Sequence, residues 1–303
     1  MMKSIYQLFT YRLMPVLAAL LIVMPQISTA QEELNAHPAI WMIERDKSKV
    51  YFLGSIHLLP KNVKWYGGKV KEIFGDAREV VFEVHMTPDK EAQAQQITIE
   101  NGLLPAGDEL RNYLEPEEYQ YLSEQAVAVG IPAVNLTRFK PWFASIALSI
   151  NVIKKQGWDP DSGVDKFIEG LAMQENKTIS ELETLQDQMA TLYDHPLSIQ
   201  AEMLVDTLDQ IKDIQKITME MVDTWANGDE KGMEESLIKP MQEQKEIYQQ
   251  LVVERNKRWL PVIAGLLMKE QNTLVVAGVA HFIGDDGVIK MLRQQGYKVK
   301  RIE

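Results

Sequence analysis

Apolar residues first fall into a strand-like pattern at Ala39. Ala39-Ile-Trp-Met-Ile-Glu44 and Lys49-Val-Tyr-Phe-Leu53 flank the polar Arg45-Asp-Lys-Ser48, which predicts a β-hairpin. Helical spacing over 68–77 and the apolar run Glu79-Val-Val-Phe-Glu-Val84 follow, reading as a βαβ crossover of the usual right hand. The next hundred residues read mainly as helix. One helix starts at Glu115-Pro116, another at Lys140-Pro-Trp142, and a third opens at Asp161-Ser-Gly-Val-Asp165 and reaches Asn176; proline suits a first helical turn. Lys177-Thr-Ile-Ser-Glu-Leu-Glu183 reads as a further strand. Residues 184–270 then read as polar helix, interrupted at His195-Pro196 and Asn227-Gly-Asp229. The chain closes with a strand at Thr273 to Gly278, a helix from Gly287 to Gly296 and an edge strand from Tyr297 to Ile302. The fold class is α/β: a mixed central sheet with a large helical layer. A strand, a loop, a helix and a strand recur near each end, which predicts two pseudo-symmetric βαβ halves.

The first thirty residues carry a different pattern. Lys3 and Arg12 precede an apolar run from Leu13 to Met24, and Ser28-Thr-Ala30 offers small residues for cleavage. That is the arrangement of a secretory leader cut after Ala30, leaving one domain at 31–303. The alternative is an uncleaved anchor, but the run is short of the roughly 20 residues a helical span needs. The chain carries a net charge of −11 and no cysteine. An acidic surface disfavours nucleic acid and anionic membrane as partners. Without thiols there are neither disulfides nor a lipid-anchoring cysteine, and a metal must be held by His, Asp, Glu or backbone. The expectation is an acidic globular protein, periplasmic or secreted, with a peptide or other small molecule as its partner.

Candidate chemistry sits at the strand ends. Gly54-Ser-Ile-His57 and Gly278-Val-Ala-His281 are two copies of G-x-x-H, each after an apolar strand and before a loop. Glu83 and Glu183 end two further strands. In α/β sheets the loops at the carboxyl ends of strands converge on a crevice. His57, Glu83, Glu183 and His281 are therefore candidate ligands for a divalent metal such as Mn, Co, Zn or Fe. Glu83 and Glu183 are candidate acid–base groups, and the same set can act without metal, a carboxylate orienting a histidine that activates water. The plainer reading is a pair of hydrogen-bonded strand-end histidines. Arg255, in a helix read from Ile247 to Leu267, can clamp a carboxylate, though its spacing fits a solvated face equally well. His85 lies on the Glu83 side of its strand and reads as a supporting or an exposed residue; His37 and His195 read as peripheral and structural. Trp142 reads as a packing residue that can also line a pocket.

These motifs in this order, with Tyr51-Phe-Leu-Gly-Ser-Ile-His57, Val81-Phe-Glu83, Lys140-Pro-Trp142, Gly163-Val-Asp165, Leu182-Glu-Thr184, Arg255-Asn256 and Val276-Ala-Gly-Val-Ala-His281, resemble the TraB/GumN family. That family includes Tiki membrane proteases and pheromone-shutdown proteins. The resemblance implies a fold shared with erythromycin-esterase-like and ChaN-like proteins, and metal-dependent proteolysis centred on His57, Glu83 and His281. Ser55 stands where many relatives have threonine. The leading expectation is an exported metal-dependent hydrolase, a peptidase. The alternative is a non-catalytic protein that sequesters a peptide or haem-like ligand in the same cleft, its Met- and Gln-rich helices serving as a lid.

Overall fold

A computed structural model describes residues 33–303; the leader expected at 1–30 lies outside the described residues. Six strands form the central sheet: β1 (Ile40–Arg45), β2 (Ser48–Ser55), β3 (Glu79–Phe82), β4 (Thr178–Glu181), β5 (Thr273–Gly278) and β6 (Lys300–Arg301). Their spatial order is β6-β1-β2-β5-β3-β4. β2, β5, β3 and β4 run parallel, and only β1 opposes its neighbours. The sheet is mixed, as its sequence predicts. The hairpin joining β1 to β2 turns through Asp46, whose φ of 52° is left-handed, a conformation Asp tolerates better than most residues.

The crossover through the helix Gly68–Asp76 does not join adjacent strands. It leads from β2 to β3, and β5, from the far end of the chain, fills the position between them. The second unit, from β5 through the helix Val288–Gln294 to β6, runs the opposite way across the sheet. The two halves expected from sequence are thus interleaved: their G-x-x-H strands are neighbours, with Ser55 opposite Gly278 in register. Close contact there needs glycine. A Cβ added at Gly54 would come within 2.7 Å of Val279 Cγ2, inside the second motif.

β2, β3 and β5 are buried along nearly their whole length, because helices cover both faces of a mainly parallel sheet. Ile73, Ile168, Trp225, Trp259 and Ile289 come from five different helices and join the same apolar core. The helical layer is not uniform. Leu122, Leu148 and Leu204 belong to a separate apolar cluster, whereas the helices Ile214–Ala226 and Glu254–Leu266 pack into the sheet core. Among the described residues no helix is long and apolar enough to cross a membrane.

Candidate functional site

Four neighbouring parallel strands deliver one polar residue each to the same edge of the sheet: His57 after β2, His281 after β5, Glu83 after β3 and Glu183 after β4. Gly278 is where three of them meet. A Cβ at that position would lie 3.3 Å from Glu83 Oε1, 3.7 Å from His57 Nε2 and 3.7 Å from His281 Cδ2. The Gly278 N–H donates to Glu83 Oε1 at 2.6 Å.

Arg255 ties the cluster together from above. Its Nε donates to Glu183 Oε1 and Oε2 at 2.9 and 3.1 Å. Nη2 donates to Glu83 and Glu183, and Nη1 donates to Leu251 O and to His281 Nε2 at 2.9 Å. Arg255 is buried, so the solvated-face reading is excluded. Burial works against its charge, yet Glu83 and Glu183 outweigh it and raise its pKa. Trp259 lies one turn on, its ring 5.0 Å from the guanidinium carbon and its Nε1 donating to Glu183 Oε2.

The two histidines are oriented by different partners. Asn256 Nδ2 donates to Asp286 O, which leaves Oδ1 facing His281 Nδ1 at 2.7 Å. His281 therefore carries its proton on Nδ1 and offers the Nε2 lone pair to Arg255. Burial, assisted by the Arg255 cation, pushes its pKa down to about 3, so it is neutral at neutral pH. His57 is paired instead with Asp165 Oδ1 at 2.9 Å through Nδ1. Desolvation works to lower its pKa, but the Asp165 carboxylate, with help from Glu83, lifts it to about 9. For Glu83, burial works upward. His281, Arg255 and His57 together with the Gly278 N–H overcome it and hold the carboxyl down to about 2. Glu83 is thus an anion at neutral pH.

Two cavities flank the cluster and share Ser55, His57, Glu83, Leu251 and Arg255. One, of about 340 Å³, is walled largely by apolar side chains. The other, of about 570 Å³, also has apolar walls but carries more polar groups, with Asp165, Glu169 and Gln188 in its lining. A hollow of about 720 Å³ lies between Asn112 and Asp206 in the helical layer, but none of the four strand-end residues lines it. The shared walls therefore mark the site better than cavity size does.

The structure brings His57, Glu83, His281, Glu183 and Arg255 together. It leaves His85 aside, half-buried and paired through Nδ1 with Glu169. His37 is exposed and meets Glu303. His195 is buried against Thr191 O. Trp142 packs, its Nε1 donating to Asn101 O. The residues that position the site without having been singled out for it are Asp165, Gln188, which donates to Glu83 Oε2 at 3.0 Å, Asn256 and Trp259.

For a divalent cation over Gly278, Glu83 Oε1 keeps a lone pair beside its contact with the Gly278 N–H, and His57 Nε2 would first have to lose the proton it holds below about pH 9. His281 supplies no donor, since Arg255 occupies its Nε2, and among the described residues no three His, Asp or Glu side chains form a ready metal cage.

The sequence profile of the TraB/PrgY/gumN family matches residues 39–301. The chain is 23% identical over 256 residues to the uncharacterized protein YbaP of Escherichia coli (strain K12), an alignment covering 84% of this chain and 92% of that protein. To YbaP of Shigella flexneri it is 25% identical over 190 residues, 63% of this chain and 70% of the relative. A shorter stretch of 55 residues is 38% identical to a metalloprotease TIKI homolog of Amphimedon queenslandica, 18% of this chain and 11% of that protein. No solved structure matches.

Proposed function

The chain belongs to the TraB/PrgY/gumN family, and from that premise we propose that it is an exported hydrolase that cleaves peptide bonds over Gly278. The observation that carries the proposal is the convergence of His57, Glu83 and His281 on one glycine, between two cavities. The short likeness to a metalloprotease TIKI homolog supports the reaction class, and the leader-like pattern of residues 1–30 supports export.

In this reading a divalent metal would be held by deprotonated His57 Nε2 and by Glu83, and His281 could join only if Arg255 gave up its hydrogen bond. When bound, such an ion would supply Lewis-acid polarisation of a carbonyl and lower the pKa of water. The chain's own residues do the rest. Asp165 aims the His57 ring so that Nε2 faces the space above Gly278. Glu183 and Trp259 fix Arg255, whose guanidinium is placed to stabilise negative charge developing on a carbonyl oxygen. Glu83 is anchored at both oxygens, by Gly278 and Gln188, and keeps one geometry. The buried contacts of Arg255 with Glu83 and Glu183 lie out of water, which strengthens them.

A second reading has its own support. With Arg255 on His281 Nε2, the guanidinium supplies the positive charge that a metal otherwise supplies, and His57, protonated below about pH 9, serves as the acid for the leaving group. The deciding experiment strips the purified protein with chelator and adds back Mn, Co or Zn singly, with a mixture of unstructured peptides as substrate. Restoration by one metal, abolished in His57→Ala and Glu83→Gln, is the expected result. Undiminished cleavage after stripping overturns the metal in favour of the second reading. Absence of cleavage under every condition sinks hydrolysis itself.

A further inference from the structure

The two cavities that share the reacting cluster differ in chemistry, and between them lies a hydroxyl with nothing to bond. Ser55 is buried, and its Oγ has no hydrogen-bond partner among the described residues. It lines both cavities and stands opposite Gly278 in register. A buried hydroxyl left unpaired costs about 1–3 kcal/mol, so its place at the seam is that of a donor to a ligand.

The smaller cavity has one polar side chain outside the cluster and its immediate strand ends, Thr218, and that hydroxyl is already committed to Ile214 O and Gln215 O. Leu58, Met221, Leu237 and Met241 project into it, each only half-buried. A charged group entering there would lose water and gain no partner; a large apolar side chain loses nothing. Met adapts to several apolar shapes. Leu237 and Leu251 come from two π-helical turns, Glu234–Ile238 and Gln249–Val253, a feature that often marks functional sites. The larger cavity has apolar walls too but adds Glu91, Glu169, Gln188 and Thr191, which can also receive main chain and polar side chains.

We propose that the ligand is an extended peptide crossing the seam, with a large apolar side chain in the Met221–Met241 cavity and a main-chain carbonyl accepting from Ser55 Oγ. The proposal rests on the hydrolase reading for where the bond breaks, and on the cavity walls alone for how the chain binds.

The test uses dye-labelled, end-blocked decapeptides carrying Leu, Phe, Lys or Asp at one central position, with binding read by anisotropy in chelator. Leu and Phe peptides are expected to bind at least about tenfold tighter than Asp peptides. Met241→Glu should weaken Leu and strengthen Lys peptides, by about tenfold in their ratio. Leu237→Trp, which fills the cavity without adding charge, should weaken Phe peptides most. Ser55→Ala should weaken all four by a similar factor, about five- to tenfold. Equal binding of all four peptides, or a preference that neither cavity variant moves, overturns the apolar subsite. Unchanged affinity in Ser55→Ala overturns the hydroxyl contact. Cleavage measured in parallel with metal separates the two ideas. Selective binding without turnover sustains the subsite and sinks hydrolysis; turnover without side-chain preference does the opposite.

Discussion

Arg255 Nη1 donates to His281 Nε2 at 2.9 Å, so a permanent cation sits on the lone pair that a metal would seek. The same guanidinium lies between two buried carboxylates, Glu83 and Glu183. Breaking a buried ion pair from one side leaves uncompensated charge.

Arg255→Ala is expected to destabilise the protein by about 3–5 kcal/mol, measured by urea denaturation. Adding Glu183→Gln to it should recover part of that loss, because one of the two orphaned charges is gone. A destabilisation no larger than that of a surface Arg→Ala change would show that the cluster is not held by this residue.

Gly54 and Val279 give a second, purely steric prediction. Gly54→Ala places a methyl 2.7 Å from Val279 Cγ2 and 2.9 Å from Val279 Cβ, an overpacking that typically costs about 1–3 kcal/mol. Gly54→Ala with Val279→Ala should regain some but not all of it, since the Val279 Cα is also close, at 3.1 Å. Thermal melting of the two variants and the parent measures the coupling.

The Asp165–His57 pair predicts a titration. In metal-free protein, NMR should place the His57 pKa near 9, and Asp165→Asn should lower it by more than one unit. The sign for stability follows from a folded pKa raised above the ordinary 6.5. The stabilisation is fully present below about pH 6.5 and disappears as pH rises through about 9.

At the opposite end of β3, Glu79 predicts acid sensitivity. It is buried, and although burial works upward, Lys269, Ser180 and Gln271 hold its carboxyl below the usual value of 4.5. A depressed pKa gives stability that is present above the unfolded value and lost as pH falls through the folded one. Glu79→Gln should therefore flatten the acid limb of the stability–pH curve, followed by circular dichroism between neutral and acidic pH.

The four strand-end residues were legible because each follows an apolar run that admits few readings, and the G-x-x-H repeats flag two of them. Asp165 was legible as the start of a helix and as part of a family motif, but not as the partner of His57. That role depends on Val164 N donating to Ile56 O at 3.1 Å, a contact between segments more than a hundred residues apart. Arg255 was legible as a carboxylate clamp, but sequence could not separate that role from a solvated face, for a local reason. The helix read from Ile247 is interrupted by the π-turn Gln249–Val253, which shifts the phase of everything after it, so the face inferred from Leu251 does not carry through to Arg255. The insertion of β5 between β2 and β3 had no sequence signal either, since apolar parallel strands look alike.

That insertion carries a consequence for biogenesis. The middle strand of the parallel array is made almost last, from residues 273–278. Until then neither β2 nor β3 has the strand that separates and pairs them in the folded sheet. Such high contact order makes closure slow and leaves unpaired edges exposed. The same step brings His281 to His57, so the centre stays incomplete until β5 is in place: a chain interrupted before Thr273 lacks both the keystone of its sheet and half of its chemistry.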